Sequence, residues 1–419
     1  MNTPTASAQS TAAPRLPGLD LLRAVAISWV MLYHASLFGL ASSDYWIVRF
    51  GWMGVDLFFV LSGFLIAGQL LRPFAQGLKP NYRQFFARRW FRTVPAYLVV
   101  VAVYFLVPAV RERPNIQPLW QFLTFTQNLF IEPPLPKGFS QAWSLCVEEQ
   151  FYLILPGAVA LIAIRPSSAK VIEAFVALLL FGATLRGFLW LHDVARTPFS
   201  IAAIPLSGSF MRFIYYPTWT RLDGLLAGVA AATIKAFHPG LWATLTARPN
   251  LLLAAGIVGV IASMASFREL VAGFAPTVLA FPLLALSMAM VVMAGSESRS
   301  LIGGYAVPGA GALATGAYSL YLSHKAVFQA VHAGLSYWPL PVERVGLGLA
   351  QRKPIAQILT ELRQAAEGVP TARAVKHLSR RFNVETPLLD AIHDVIYKAK
   401  SPVAAVRDLI ARPARDEFS

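Results

Sequence analysis

The chain has 419 residues, of which 56% are hydrophobic and 14% charged, with a formal net charge of +15. A soluble domain carries about 25% charged residues, so this composition excludes an ordinary soluble enzyme. The single cysteine, Cys146, excludes an internal disulfide framework and a cysteine-built metal site.

Residues Met1 to Pro17 are rich in Ser, Thr, Ala and Pro and read as a disordered, cytoplasmic amino terminus. The apolar run that follows contains Arg23 and His34 and lacks a small-residue cleavage pattern, so it reads as a retained first span. A span needs about 20 mostly apolar residues. On that criterion spans fall near Leu19–Leu40, Met53–Leu71, Val94–Val110, Val147–Ile164 and Val171–Leu191. Four more fall near Thr220–Phe237, Leu251–Ala265, Val271–Ala294 and Ala312–Ala333. With Ile201–Tyr216 as a partial or re-entrant helix, the expected fold is an all-α, polytopic membrane bundle of nine or ten spans.

Lys and Arg collect on the cytoplasmic side of membrane proteins. The segment after the second span holds Arg72, Lys79, Arg83, Arg88, Arg89 and Arg92 and reads as a cytoplasmic loop. Arg165, Lys170, Lys235, Arg248 and Arg299 then fall on the same side, while Arg111–Ala142 and His192–Trp219 face outward. The basic excess therefore reads as loops facing anionic lipid. No aromatic-interleaved basic patch suggests nucleic acid as a partner.

The character changes near Pro341, which closes a membrane domain over 18–340. From Glu343 to Ser419, 22 of 77 residues are charged, a density typical of soluble protein. Ile355, Ile358, Leu359 and Leu362 fall on one helical face. Thr386-Pro387 and Ser401-Pro402 each offer a capping side chain before a first-turn proline. The tail reads as a small soluble helical unit.

In the first span, Arg23 and His34 are eleven residues apart, or three turns plus about 20° on a helix. They share one face about 16 Å apart, and ionisable groups there point into a bundle or a wet cavity. Arg23 alone also fits a snorkelling anchor, with Asp20 as its charge partner. His34 fits a general base on a hydroxyl or a transient acyl carrier, and a histidine satisfied by a neighbouring helix is the plainer alternative.

These residues carry a family resemblance. Gly18 to Ala24 through His34 resembles the opening signature of the acyltransferase-3 family. Gly54 to Phe64, Arg88 to Tyr97, and Trp143 to Tyr152 resemble its next three motifs, with weaker matches at Thr220 to Gly224 and Tyr318 to His324. Six motifs in family order, over about residues 18 to 335, imply a bacterial inner-membrane enzyme. The family moves an acyl group, often acetyl, from acyl-CoA to a hydroxyl of a cell-envelope or exported glycan, or of a lipid-linked saccharide. The implied partners are the bilayer, acyl-CoA as a donor rather than a tightly bound cofactor, and the glycan acceptor; no metal is implied.

His34, Arg23 and Glu148 are the expected catalytic residues. Arg88, Arg89 and Arg92 suit the phosphates of an acyl-CoA, because the guanidinium fork pairs with phosphate, although a topology signal accounts for part of the cluster. Glu148, expected at the outer end of the fourth span, suits orienting an acceptor or stabilising a charged His34. Its plainer reading is a helix-start acid. Asp56 and Ser62 are candidates for the same cavity, although Ser62-Gly63 is also an ordinary helix-packing pair. Asp20, Arg221 and Asp223 are further candidate substrate residues, although Arg221 and Asp223 also fit a simple pair with each other, and His324 is a candidate substrate contact.

The tail resembles the carboxyl-terminal end of NAD(P)-dependent glycerol-3-phosphate dehydrogenase. The resemblance runs from Val345 to Ala350, Ala366 to Ala374, Val384 to Pro387, and Lys400 to Pro413. It places Ala365 and Glu367 at that enzyme's dinucleotide site. The nucleotide-binding domain and catalytic lysine have no counterpart, so the tail is expected to be inert as a dehydrogenase. The acyltransferase family usually has one more span after the Tyr-Leu-Ser-His segment, and nine spans leave the tail outside. A tail that replaces the last helix, a spanning Ile201–Tyr216, and a chimera all fit. A transporter, which would show internal repeats, and an inactive chimeric scaffold are the alternative functions.

Overall fold

The computed structural model describes residues 16–132, 137–164, 168–195, 208–267, 273–337 and most of 348–411. Every regular element among them is helical, with no strand. Nine long helices stand where the nine spans are predicted. They are α1 Pro17–Leu37, α2 Gly54–Ala75, α3 Tyr82–Leu106, α4 Ala142–Ile164, α5 Ser168–Leu189, α6 Asp223–Phe237, α7 Pro249–Ser266, α8 Phe281–Gly295 and α9 Ala310–Tyr337. Of the segment Ile201–Tyr216, the described part is a helical turn at Gly208–Phe210 leading into a π-helical stretch over Met211–Tyr215; residues 201–207 lie outside the described residues.

Six helices are long and apolar enough to cross a bilayer, covering Gly51–Ala75, Tyr82–Leu106, Ala142–Leu161, Ala169–Val194, Pro249–Ser266 and Pro276–Gly295. The chain is a multi-pass membrane protein. The other three bundle helices are shorter or more polar. α6 has 15 residues, α1 carries Asp20, Arg23 and His34, and α9 carries Thr315, Ser319, Ser323, His324 and Lys325. Such side chains are tolerated in lipid only when they face the protein interior.

One boundary differs from expectation with a consequence for the site. Helix α3 starts at Tyr82, twelve residues before the predicted Val94, so Arg83, Arg88, Arg89 and Arg92 are helical rather than part of a loop. Asn81 caps it, its Oδ1 accepting from the Gln84 N–H at 2.9 Å. No glycine or proline interrupts the helix before Pro95. Hydropathy locates the apolar stretch of a helix, not its polar extension.

Helices α2 and α8 form the middle of the bundle, with 72% and 67% of their most apolar windows buried, against 17% for Ala169–Val194. In lipid, helices associate by close packing rather than by removing apolar surface from water. α2 and α6 show how. A Cβ on Gly63 would run into the Leu225 carbonyl, and one on Gly228 into the Val60 carbonyl. The packing reading of Ser62-Gly63 thus holds for the glycine.

The segment between α3 and α4 is tied down by Glu112. Its carboxylate accepts from the Ser140 N–H (3.0 Å), the Ser140 hydroxyl (2.8 Å), the Phe139 N–H (3.3 Å) and Lys325 Nζ (3.3 Å). Burial alone would raise this carboxyl, but the Lys325 ammonium and the Ser140 donors outweigh it and hold Glu112 below its ordinary value.

The chain divides into two compact units, Met1–Ala330 and Val331–Ser419. The second contains α10 Gly368–Arg381, α11 Pro387–Tyr397 and α12 Pro402–Ile410. Its small core gathers Ile358, Leu349, Ile355, Ile396 and Tyr397, and Lys376 pairs with Asp390 at 2.6 Å. Leu359, Leu362, Ala365 and Glu367 lie outside the residues whose side chains are described.

Candidate active site

Two cavities open beside α1, α2, α3 and α9. The smaller, about 250 Å³, is lined among others by Arg23, Ser62, Arg89, Arg92, Glu148 and Tyr152, with Phe58, Ser144 and Tyr321 also in its wall. The larger, about 820 Å³, includes Asp20, Arg23, Arg72 and Arg92 in its wall. Arg23, Leu65, Gln69, Arg92, Ala314 and Thr315 line both. Volumes of 300–1,000 Å³ are usual for small-molecule sites.

Charge sets the character of this double cavity. Arg23, Arg72, Arg89 and Arg92 face it against two carboxylates, Asp20 and Glu148. Asp20 pairs with Arg23 at 3.1 Å. The Arg89 guanidinium lies over the Tyr152 ring at 3.9 Å, and its buried Nε lacks a hydrogen-bond partner. Such an excess of guanidinium groups in a partly desolvated cavity favours an anion. The helical register of α3 decides which arginines take part. Arg89 and Arg92 are three residues apart and share a face with Thr93 and Ala96, whereas Arg88 is turned about 100° away and is exposed. Of the three expected donor-binding arginines, two reach the cavity.

Glu148 lies inside the bundle, in the second turn of α4, one turn from Tyr152. The Tyr152 and Ser62 hydroxyls hydrogen-bond across the cavity wall from α4 to α2. His34 lines neither cavity, so the expected Glu148–His34 partnership is not made. His34 instead meets His324, with His34 Nδ1 2.8 Å from His324 Nε2 and ring centroids 4.9 Å apart. Tyr321 is the shared wall. Its ring lines the smaller cavity and lies 5.8 Å from the His324 ring, while its hydroxyl is held by Ser144 at 2.5 Å and by the Gln141 carbonyl at 3.1 Å.

Asp56, Arg221 and Asp223 are not in the cavity, and Arg221 and Asp223 do not pair with each other. Arg221 reaches Asp56 on α2 at 2.8 Å, stacked between the Tyr215 and Phe281 rings. Asp223 takes Arg186 from α5, with contacts of 2.6 and 3.1 Å. Two residues apart at a helix start, the side chains of 221 and 223 diverge, and each finds its charge on another helix. Sequence reasoning passed over Arg186 although it offers a signal, a lone arginine deep in an apolar run that requires a partner. It also passed over Tyr152, Tyr321, Glu112 and Lys325, which are ordinary until the helices meet. Among the described residues no group of three His, Cys, Asp or Glu side chains is arranged to hold a metal ion.

The model of the acyltransferase-3 domain matches residues 16–352. The chain belongs to this acyltransferase family. A second model, the C-terminus of NAD-dependent glycerol-3-phosphate dehydrogenase, matches residues 343–407. The chain is 31% identical over 236 residues to the peptidoglycan O-acetyltransferase OatA of Listeria monocytogenes, covering 53% of this chain and 34% of that protein. It is 32% identical to YrhL of Bacillus subtilis, over 52% of this chain and 33% of that one. To the O-acetyltransferase OatA of Staphylococcus aureus it is 28% identical, over 52% and 34%. The match thus spans about a third of the length of these curated relatives. No solved structure matches the chain.

Proposed function

We propose that the chain is an acyl-CoA-dependent O-acyltransferase, most simply an O-acetyltransferase, that modifies hydroxyls of a cell-envelope or exported glycan. The amino terminus and the arginine-lined cavities then face the cytoplasm. The observation that carries this reading is the arginine-rich double cavity whose wall residue Tyr321 packs against the His324 ring of a histidine pair. An acyl-CoA is long and anionic at one end and carries a thioester at the other. Its phosphates suit Arg23, Arg72, Arg89 and Arg92, and its narrow arm suits the smaller cavity beside Tyr321. Support for a glycan acceptor comes from the relatives named as O-acetyltransferases, two of them by name of peptidoglycan.

In the reaction the acceptor hydroxyl oxygen attacks the thioester carbonyl carbon while its proton passes to a ring nitrogen of His34. The C–S bond breaks, CoA leaves as thiolate with the bonding electrons, and the proton on His34 is returned to it. A positioned histidine contributes about 10²–10⁴-fold to such a step. The test is ester-linked acetyl on surface glycan in cells expressing the full chain, its His34→Ala variant, or neither. Acetyl that rises only with the unmodified chain supports the reading. Full activity in His34→Ala would refute the mechanism.

A further inference from the structure

Two hydrogen bonds, at the two nitrogens of His324, bear on which nitrogen of His34 is free to react. His324 Nδ1 is 2.9 Å from the Leu320 carbonyl oxygen, one turn back on α9. A carbonyl only accepts, so Nδ1 must carry hydrogen. With the ring neutral, His324 Nε2 is then a bare lone pair. It faces His34 Nδ1 at 2.8 Å, so His34 must donate from Nδ1, which leaves the unshared pair of His34 on Nε2.

The ring of His324 is held for this task. Tyr321 and Phe328 flank it at 5.8 and 5.7 Å, Phe328 packs against Phe38 beyond the end of α1 at 6.0 Å, and His324 is 2% exposed. The Leu320 carbonyl is part of the α9 backbone and cannot change sign, so the sense of the relay is set by the helix itself.

We infer that His324 is the positioning residue of the site: through its bond to Leu320 it sets the tautomer of His34 and leaves His34 Nε2 as the proton acceptor. This rests on the acyltransfer reading only for its consequence. The proton from the acceptor hydroxyl goes to His34 Nε2 as the new C–O bond forms, and the resulting imidazolium keeps its Nδ1–H bond to His324 Nε2. No proton leaves the pair until the departing thiolate takes it back. The role differs from a direct substrate contact by His324, because neither of its nitrogens is free to touch a substrate.

The test combines a spectroscopic readout with kinetics on the full chain. In nitrogen-15 spectra of histidine-labelled protein in detergent, the His34 signals are identified by their loss in His34→Gln. The expected unmodified protein shows His34 with hydrogen on Nδ1 and a bare Nε2. His324→Ala should lose that preference and lower kcat on the order of 10²-fold with the donor KM unchanged. His324→Gln, whose amide oxygen can take the place of Nε2 as acceptor, should keep the tautomer and recover kcat to within about tenfold. Hydrogen on His34 Nε2 in the unmodified chain would overturn the inference, as would a His324→Ala variant with unchanged tautomer and kcat. If His324→Ala fails to fold, the unmodified and His324→Gln spectra decide. The expected tautomer in a chain that transfers no acyl group would sustain the positioning role and reject the acyltransfer reading.

Discussion

Removing one partner of the Arg186–Asp223 pair should be among the most damaging single changes in the bundle. Arg186 is fully buried. Besides the two bonds to Asp223, it donates to the carbonyls of Thr220 at 2.9 Å, Thr277 at 3.1 Å and Val278 at 3.4 Å. Neutral hydrogen bonds between membrane helices average about 0.6 kcal/mol, because the separated helices find other partners. A stranded buried charge has no such substitute and costs about 3–5 kcal/mol. Asp223→Ala leaves the guanidinium with only backbone carbonyls and should cost within that range. Arg186→Ala strands the carboxylate and also removes three hydrogen bonds to carbonyls, each worth about 1 kcal/mol, so it should cost more than Asp223→Ala. The double substitution removes both charges and should cost less than the sum of the singles by about 3 kcal/mol. The assay is unfolding of the purified full chain in mixed micelles titrated with sodium dodecyl sulfate. The parallel Arg221/Asp223 cycle should show about 1 kcal/mol of coupling or less. If its coupling equals or exceeds that of Arg186/Asp223, the partner assignment is wrong.

Three further outcomes follow from other parts of the molecule. Arg89→Ala or Arg92→Ala should raise the KM for acyl-CoA about 10- to 100-fold, the value of one charge-assisted phosphate contact, whereas Arg88→Ala should change it less than about twofold; equal effects of all three in a steady-state assay would favour a general surface charge. Because Glu112 is held below its ordinary value of 4.5, its contribution to folding is complete above that pH and is lost as pH falls through the depressed value. Protease sensitivity of the segment between α3 and α4 should therefore rise only below about pH 4.5, and Glu112→Gln should show it already at neutral pH. Deleting 343–419 should cost no NAD-linked oxidation of glycerol 3-phosphate, because the intact chain is expected to have none; detecting that activity by NADH absorbance would contradict the inert reading of the tail.

Much of the fold is legible in the sequence because helices and lipid both impose local rules. Twenty apolar residues, a break and another twenty locate the spans without reference to what they touch, and so the nine helix positions could be read. The shared face of Arg23 and His34 follows from the helical period; His34 meets His324 on α9, and Arg23 lines cavities to which α9 also contributes. The site was less legible wherever rotation or partner choice mattered. Arg88 and Arg89 are equivalent in composition, but the cap at Asn81 makes them helical, and the period then turns one to the cavity and the other to the exterior.

Composition and periodicity determined that this is a membrane bundle with ionisable groups facing inward, because burial in lipid permits little else. Tertiary structure decided which groups meet. His34 and His324 are 290 positions apart and Arg186 and Asp223 are 37 apart. No local rule couples them, since a helix fixes the direction of its own side chains but not the identity of the helix it crosses.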